Sequence, residues 1–272
     1  MTRKILITGA AGNIGAKFAA HARKAGYELV LLDRDGGEGI LAADLAVWDK
    51  KWAKQFKGVD TVLHFAASPS GSSTWDMVMG ANIAATQNML RAARDAKVRR
   101  VVFASTNQVV LGYRFDEAVT SVTTDLPPKP LSPYGISKLM GEEMGRAFAG
   151  ETGISFIALR IGYFQRGENL PGPHMAIGVW GQSMWLSNRD MMHALVRSIE
   201  AEDVPFAIVN LVSNNPQMRW DLKHTRKVLG YKPKDGHAPV IDASVEAEDK
   251  KARKARILPG TWFNERYQTV IG

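Results

Sequence analysis

Tyr134-Gly135-Ile136-Ser137-Lys138 places a phenol and an ammonium at positions i and i+4, which share one face of an α-helix. A free phenol titrates near about 10 and is a poor base at neutral pH. A neighbouring cation favours the phenolate and lowers that value. Such a pair can take a proton from a hydroxyl group while an acceptor removes hydride from the same carbon. On spacing alone Tyr-x-x-x-Lys arises often by chance. Here it lies downstream of Ser105-Thr106-Asn107, which closes an apolar run.

A second constellation could supply the acceptor. Thr8-Gly9-Ala10-Ala11-Gly12-Asn13-Ile14-Gly15 separates the apolar run Lys4–Ile7 from a helical pattern over 13–24. Gly9, Gly12 and Gly15 let the backbone turn tightly and approach a pyrophosphate, which then rests on the helix N-terminus opened by Asn13 and Ile14. Asp33 ends the next apolar run, where a carboxylate accepts hydrogen bonds from an adenosine ribose. It would also repel a 2′-phosphate, so NAD rather than NADP is the expected cofactor. Arg34 is the adjacent guanidinium that could pair with that phosphate. No Lys-Ser/Thr follows the glycines, which excludes a triphosphate loop.

The elements around these residues read as alternating strands and helices, the mark of a parallel α/β sheet. Strands are expected at 4–7, 29–32, 62–65, 101–104 and 155–159, with helices at 13–24, 77–96 and 133–148. Residues 165–181 are rich in Gly and Pro without periodicity and read as a long loop, which in a compact domain is often functional. A helix over 188–201, a strand over 206–211 and a helix over 221–229 follow. No internal repeat or interdomain linker interrupts the chain. Residues 1–160 are expected to form the cofactor core, and 161–272 the substrate loop, cap and tail of one integrated domain.

Composition removes several classes of function. The 272 residues contain no cysteine, so disulfides, thiolate metal sites and a cysteine nucleophile are excluded. Histidines show no metal spacing, and no metal is expected. His64 ends an apolar run and reads as structural, whereas His174 is a site candidate. There is no Gly-x-Ser-x-Gly elbow of a serine hydrolase. The formal charge is +8, yet the one strong basic run, residues 249–256, reads as a solvated helix face rather than a nucleic-acid patch. No stretch is long and apolar enough to span a membrane, and the run at 5–7 is too short for a signal core. A cytoplasmic protein without membrane or nucleic-acid partners is the expectation.

The motifs together resemble the extended short-chain dehydrogenase/reductase superfamily, which includes NAD-dependent sugar epimerases and dehydratases. The resemblance rests on Thr8 to Gly15, Asp33, Asp44-Leu45, His64 to Ala67, Asn82, Phe103 to Asn107 and Tyr134 to Lys138. It implies a Rossmann-type doubly wound parallel sheet with a small C-terminal substrate cap. By the same resemblance Thr106 orients the substrate oxygen, Tyr134 is the acid/base and Lys138 also holds the nicotinamide ribose. Asp44 and Leu45 would flank the adenine, and Ala66, Ala67, Asn82 and Ile161 complete the cofactor site.

Within that superfamily the chain is most similar to the uronate dehydrogenase group, through Phe103 to Asn107, Leu159 to Gly162, Met184 to Ser187 and Leu229 to Pro233. This implies that Asn107 contacts a sugar. That group holds a substrate carboxylate with an arginine before the Trp-x-Ser segment; here Trp180 falls near that position, with Gln182 close by. Arg166 and His174 are the candidate substitutes, and Ser68 and Ser70 lie at the ligand-binding edge of the sheet. Trp180 can cover a sugar face, whereas Trp185 reads as core. The implied activity is NAD-dependent oxidation of the anomeric carbon of a small sugar or sugar acid to its lactone, by a homo-oligomer. A nucleotide-sugar epimerase or dehydratase with tightly bound NAD is the alternative, and a non-catalytic NAD sensor the third.

Overall fold

Side chains of the apolar runs alternate between two buried layers. Ile5, Ile7, Leu63, Val102, Ile157 and Leu159 face one layer, and Leu6, Val62, Val101, Phe103 and Phe156 the other. A strand covered on both faces must be apolar throughout, which explains the unbroken runs. The computed structural model describes residues 3–257. Its strands are β1 (Lys4–Thr8), β2 (Glu28–Asp33), β3 (Leu41–Ala42), β4 (Thr61–His64), β5 (Arg100–Thr106), β6 (Ser155–Ile161) and β7 (Phe206–Leu211). They form one parallel sheet in the order β3-β2-β1-β4-β5-β6-β7. The order reverses at β1, and ligands of such sheets bind outside the strand C-termini at that switch.

The α-helices among the described residues are α1 (Asn13–Lys24), α2 (Lys50–Ala53), α3 (Trp75–Val78), α4 (Ala85–Ala96), α5 (Pro133–Thr152), α6 (Gly178–Ser183), α7 (Asn188–Glu200), α8 (Lys223–Leu229) and α9 (Ala243–Ile257). Phe18 of α1, Leu195 of α7 and Leu229 of α8 pack on one face of the sheet. Trp52 of α2, Met89 of α4 and Phe148 of α5 pack on the other. The doubly wound α/β architecture is therefore as expected.

α5 starts where Ser132 accepts a hydrogen bond from Gly135 N (3.1 Å) and Pro133 fills the first turn. Gly141 and Gly145 let it lie close on the sheet: a Cβ there would fall 2.3 Å from the Phe103 ring and 2.1 Å from the Phe156 ring.

Three differences from the sequence expectation have local causes. The helix expected over 77–96 starts at Trp75 and widens into a π-helix at Met79–Ala84, centred on Asn82. Such a widening is invisible to periodicity. Residues 178–181, expected as the end of the loop, belong to α6, which runs on to Ser183. The pair β3 and β2 is only two residues long, too short to leave a pattern.

Candidate active site

The glycine loop is shaped by contacts only glycine permits. Gly9 has φ +68°, and a Cβ on it would meet Ala66 N at 2.7 Å, because the loop rests on the residues that follow β4. A Cβ on Gly15 would lie 2.2 Å from Gly9 O. Gly12 is the N-cap of α1 and brings no side chain to the first helical N–H groups. An uncapped N-terminus with glycine clearance above it can receive a pyrophosphate. Asp33 Oδ2 accepts from Ala11 N at 2.9 Å, which draws the carboxylate to the loop.

Arg34 is turned elsewhere: it pairs with Asp35 at 3.3 Å, and both are exposed. Asp44 Oδ1 accepts from Ala46 N (2.9 Å), beside buried Leu45. Asn13 donates to Phe164 O (3.3 Å) and Gln165 O (3.1 Å), so its amide fastens the segment after β6 to α1. Asn82 is likewise engaged within the protein. It accepts from Ser68 N (2.7 Å) and donates to Ser68 O (3.3 Å) and Ser137 Oγ (2.8 Å). Since Ser137 donates to Tyr134 O (2.8 Å), Asn82 pins the Ser68 segment to α5. Ser68 and Ser70 hydrogen-bond to Ser73 (2.8 Å) and Ser72 (2.7 Å), and Ala66 N donates to Thr8 Oγ1 (3.3 Å), with Ala67 next in the same segment.

β5 and β6 end side by side, with Thr106 in register with Ile161. Thr106 Oγ1 caps the 3₁₀ turns of Asn107–Phe115 by accepting from Gln108 N (3.2 Å). Tyr134 is buried facing Thr106. Burial pushes its phenol up to about 12, opposed by a side-chain hydrogen bond from Thr106. Lys138 is also buried, 4.8 Å above the Phe103 ring centroid and 6.0 Å from that of Tyr134. Burial pulls its ammonium down to about 7. Where sequence reasoning weighed only the lysine charge on the phenol, desolvation by burial is the larger effect on both groups, raising Tyr134 and lowering Lys138.

Beneath them His64 shares hydrogen bonds with Thr8 (2.8 Å) and Thr86 (3.2 Å). Burial, reinforced by the Lys138 charge, lowers it to about 3, so it is a neutral structural imidazole. Asn107 differs from every neighbour. It is 2% exposed, and neither its Oδ1 nor its Nδ2 has a hydrogen-bond partner.

Several expected substrate ligands are turned away. Gln182 is fully buried, donating to Val240 O (3.0 Å) and accepting from Val240 N (2.8 Å). Both ends of its amide hold the chain before α9, so it serves that segment instead of a sugar. Trp180 packs against Trp220 with ring centroids 4.5 Å apart, and Trp185 donates to Asn169 O (2.9 Å); both are core. His174 bonds to Gln165 (3.0 Å) in an exposed position, and Arg166 is exposed on the same loop.

A cavity of about 380 Å³ is lined by Gln108, the residue after Asn107, and Ser132, the cap of α5, together with Arg114, Met175, Ile177, Glu248 and others. Arg114 and Glu248 escaped sequence reasoning, because nothing in their spacing links a 3₁₀ turn to a helix more than 130 residues later. Glu142 and Arg160 also escaped it. They form a buried bidentate pair (2.9 and 2.8 Å) under the site, and Glu142 continues the spacing Tyr134, Lys138, Glu142. That extra i+4 step was the available signal.

The chain resembles known proteins along most of its length. A model of the NAD dependent epimerase/dehydratase family matches residues 5–209. An L-arabinose 1-dehydrogenase (NAD(P)(+)) of Haloferax volcanii is 33% identical, covering 88% of this chain and 99% of that protein. A uronate dehydrogenase of Pseudomonas syringae pv. tomato is also 33% identical, covering 92% and 88%. The crystal structure of a uronate dehydrogenase mutant from Agrobacterium tumefaciens complexed with NAD has a TM-score of 0.74 at 25% identity, covering 94% and 90%. No helix among the described residues is long and apolar enough to cross a membrane. On the matched span and the shared fold, the chain belongs to the NAD dependent epimerase/dehydratase family.

Proposed function

We propose that the chain is an NAD-dependent dehydrogenase that oxidises the anomeric carbon of a small sugar or sugar acid to its lactone. Relatives that match along almost the whole chain include sugar dehydrogenases. The observation that carries the reading is Asn107: a buried amide with free donor and free acceptor, next in sequence to Thr106. An orphaned buried amide costs roughly 1–3 kcal/mol, and adjacent sugar oxygens satisfy both of its ends.

Gly9, Gly12 and Gly15 with the start of α1 would hold the pyrophosphate, and Asp33 the adenosine ribose, flanked by Asp44 and Leu45. The uncapped helix start and the clearance at Gly9 and Gly15 fit such a group. NAD supplies the hydride acceptor when bound.

The protein's own part is to place the anomeric hydroxyl and take its proton. Thr106 and Asn107 orient the sugar, and Tyr134 Oη receives the proton. Because the phenol sits near 12 and the lysine near 7, the pair gives up its first proton from Lys138. The form ready to act as a base is therefore the phenol with a neutral amine. As Tyr134 Oη takes the substrate proton it gives up its own, which ends on the neutral Lys138 amine and makes it the ammonium. An acceptor poised near 7 suits catalysis at neutral pH. Sugar and NAD become lactone, NADH and one proton. Residues from 161 onward supply the substrate cover.

The test is to supply the purified chain with NAD and a panel of uronates, aldoses and hexose 6-phosphates, reading NADH absorbance. NADH accumulating with a free sugar supports the dehydrogenase. Interconversion of a nucleotide sugar with no net NADH would give the epimerase instead.

A further inference from the structure

The cavity lined by Gln108, the residue after Asn107, has one cation in its lining, and that cation is already paired. Arg114 lines it from the 3₁₀ turns that Thr106 caps, and its side chain is only 12% exposed. Its Nη2 lies 3.2 Å from Glu248 Oε1 and 3.5 Å from Asp249 Oδ1. Both carboxylates come from α9, which packs against α6. The approach depends on Gly178 (φ +57°), where a Cβ would fall 2.8 Å from Asp249 Oδ1. Ile177, which lines the cavity, is itself left-handed at φ +73°. For a β-branched residue that conformation is strained, so the surrounding contacts hold the loop under α9.

Glu248 lines the cavity with Arg114, and Asp249 stands behind the guanidinium outside that lining; this cluster of one guanidinium and two carboxylates carries a net charge of −1. The nearby cations do not offset it. Lys129 pairs with Asp116 at 3.3 Å, and Arg219 donates to the carbonyls of Tyr113, Asp116 and Val119. Arg166 and His174, expected to read a substrate anion, are not among the cavity's lining residues. A substrate carboxylate would have to displace Glu248 from Arg114 or sit beside two like charges. A neutral sugar meets neither obstacle, and the half-exposed Glu248 carboxylate can accept from its hydroxyls.

Resting on the dehydrogenase reading above, we infer that this cavity selects a neutral aldose over the corresponding uronate, with Glu248 as a specificity-determining residue. The test uses matched pairs, D-glucose with D-glucuronate and D-galactose with D-galacturonate, and compares kcat/KM within each pair. The aldose should lead by about tenfold or more in at least one pair. E248Q keeps the shape and removes one charge, so the aldose-to-uronate ratio should fall by about tenfold, between the effects of a unit charge a few ångströms away in bulk water and at a protein surface. The double variant E248Q/D249N should lower it further.

A wild-type preference for the uronate overturns the inference and leaves the dehydrogenase standing. A ratio unmoved in both variants also overturns it, since a merely structural α9 would change both sugars alike. NADH from no member of either pair overturns this inference, and the dehydrogenase reading falls with it only where the other aldoses and the hexose 6-phosphates of the panel also yield none.

Discussion

Lys138→Met removes the buried amine while keeping an unbranched apolar stem over Phe103. In the native protein the Tyr134–Lys138 pair releases its first proton near 7, from the lysine, while the phenol by itself holds its proton to about 12. The macroscopic step belongs to the pair rather than to either group. kcat/KM at saturating NAD should therefore rise with pH on an apparent pKa of about 7 and level off above it. Without the amine, the phenol must lose its own proton before it can accept another. At pH 8, four units below 12, only about one molecule in 10⁴ is in that form. The variant should therefore lose on the order of 10³- to 10⁴-fold at that pH. Its log kcat/KM should also keep climbing about one unit per pH unit without a plateau, up to the limit of protein stability. The assay is initial NADH formation across the pH range, with circular dichroism confirming the fold. A variant that retains the limb near 7, or one that levels off at mildly alkaline pH, would refute the assignment of that proton to Lys138.

Other residues make separable claims. Asp33→Ala removes a carboxylate positioned for the adenosine ribose, so KM for NAD should rise by about ten- to hundredfold, as for one charge-assisted hydrogen bond. Use of NADP should improve at the same time, and a wild-type chain that prefers NADP would contradict this role. Asn107→Leu should raise Tm, because it removes an orphaned amide, and should lower kcat/KM steeply; a lower Tm with unchanged kcat/KM would show that the amide is structural. His64 is neutral and buried, and its pKa falls from 6.5 to about 3 on folding. The unfolded chain then binds more protons below pH 6.5, so stability is present above that pH and is lost toward pH 3. The slope is about 1.4 kcal/mol per pH unit. Urea midpoints measured between pH 7 and pH 4.5 should show it, and His64→Gln should flatten it.

What the sequence made legible was what is local. Strand–glycine–helix order, Asp33 at a strand end and Tyr134 with Lys138 one turn apart are relations between near neighbours, and the structure brings them to one edge of the sheet. Residues whose partners come from distant segments were misread. Gln182 looked like a polar ligand in a glycine-rich loop, yet Val240 takes both ends of its amide. Asn13 opens α1 but reaches a loop 151 residues away. The protonation states escaped for the same reason. A phenol and an ammonium at i and i+4 suggest mutual stabilisation on an exposed helix, and only the depth of burial shows desolvation prevailing over it.

The position of those two groups depends in turn on a pair that has no part in the chemistry. Tyr134, Lys138 and Glu142 form one stripe along α5, and the last is fixed by two hydrogen bonds from Arg160 on β6 and one from Ser105 on β5. The arrangement is not optimal for stability: both partners are buried, and Arg160 Nη1 has no hydrogen-bond partner. Apolar replacements of similar volume often hold a fold equally well. They would set the distance between α5 and the sheet, as Gly141 and Gly145 against Phe103 and Phe156 already do, but they have no directional bond. A bidentate pair also sets rotation. A slip of one residue turns a helix by about 100°, which would carry Tyr134 away from Thr106 and Lys138 off Phe103. Ser105 and Arg160 each immediately precede the paired strand ends Thr106 and Ile161. The clamp thus ties the helix that bears the base to the strand that bears the orienting hydroxyl, one residue below where they must meet.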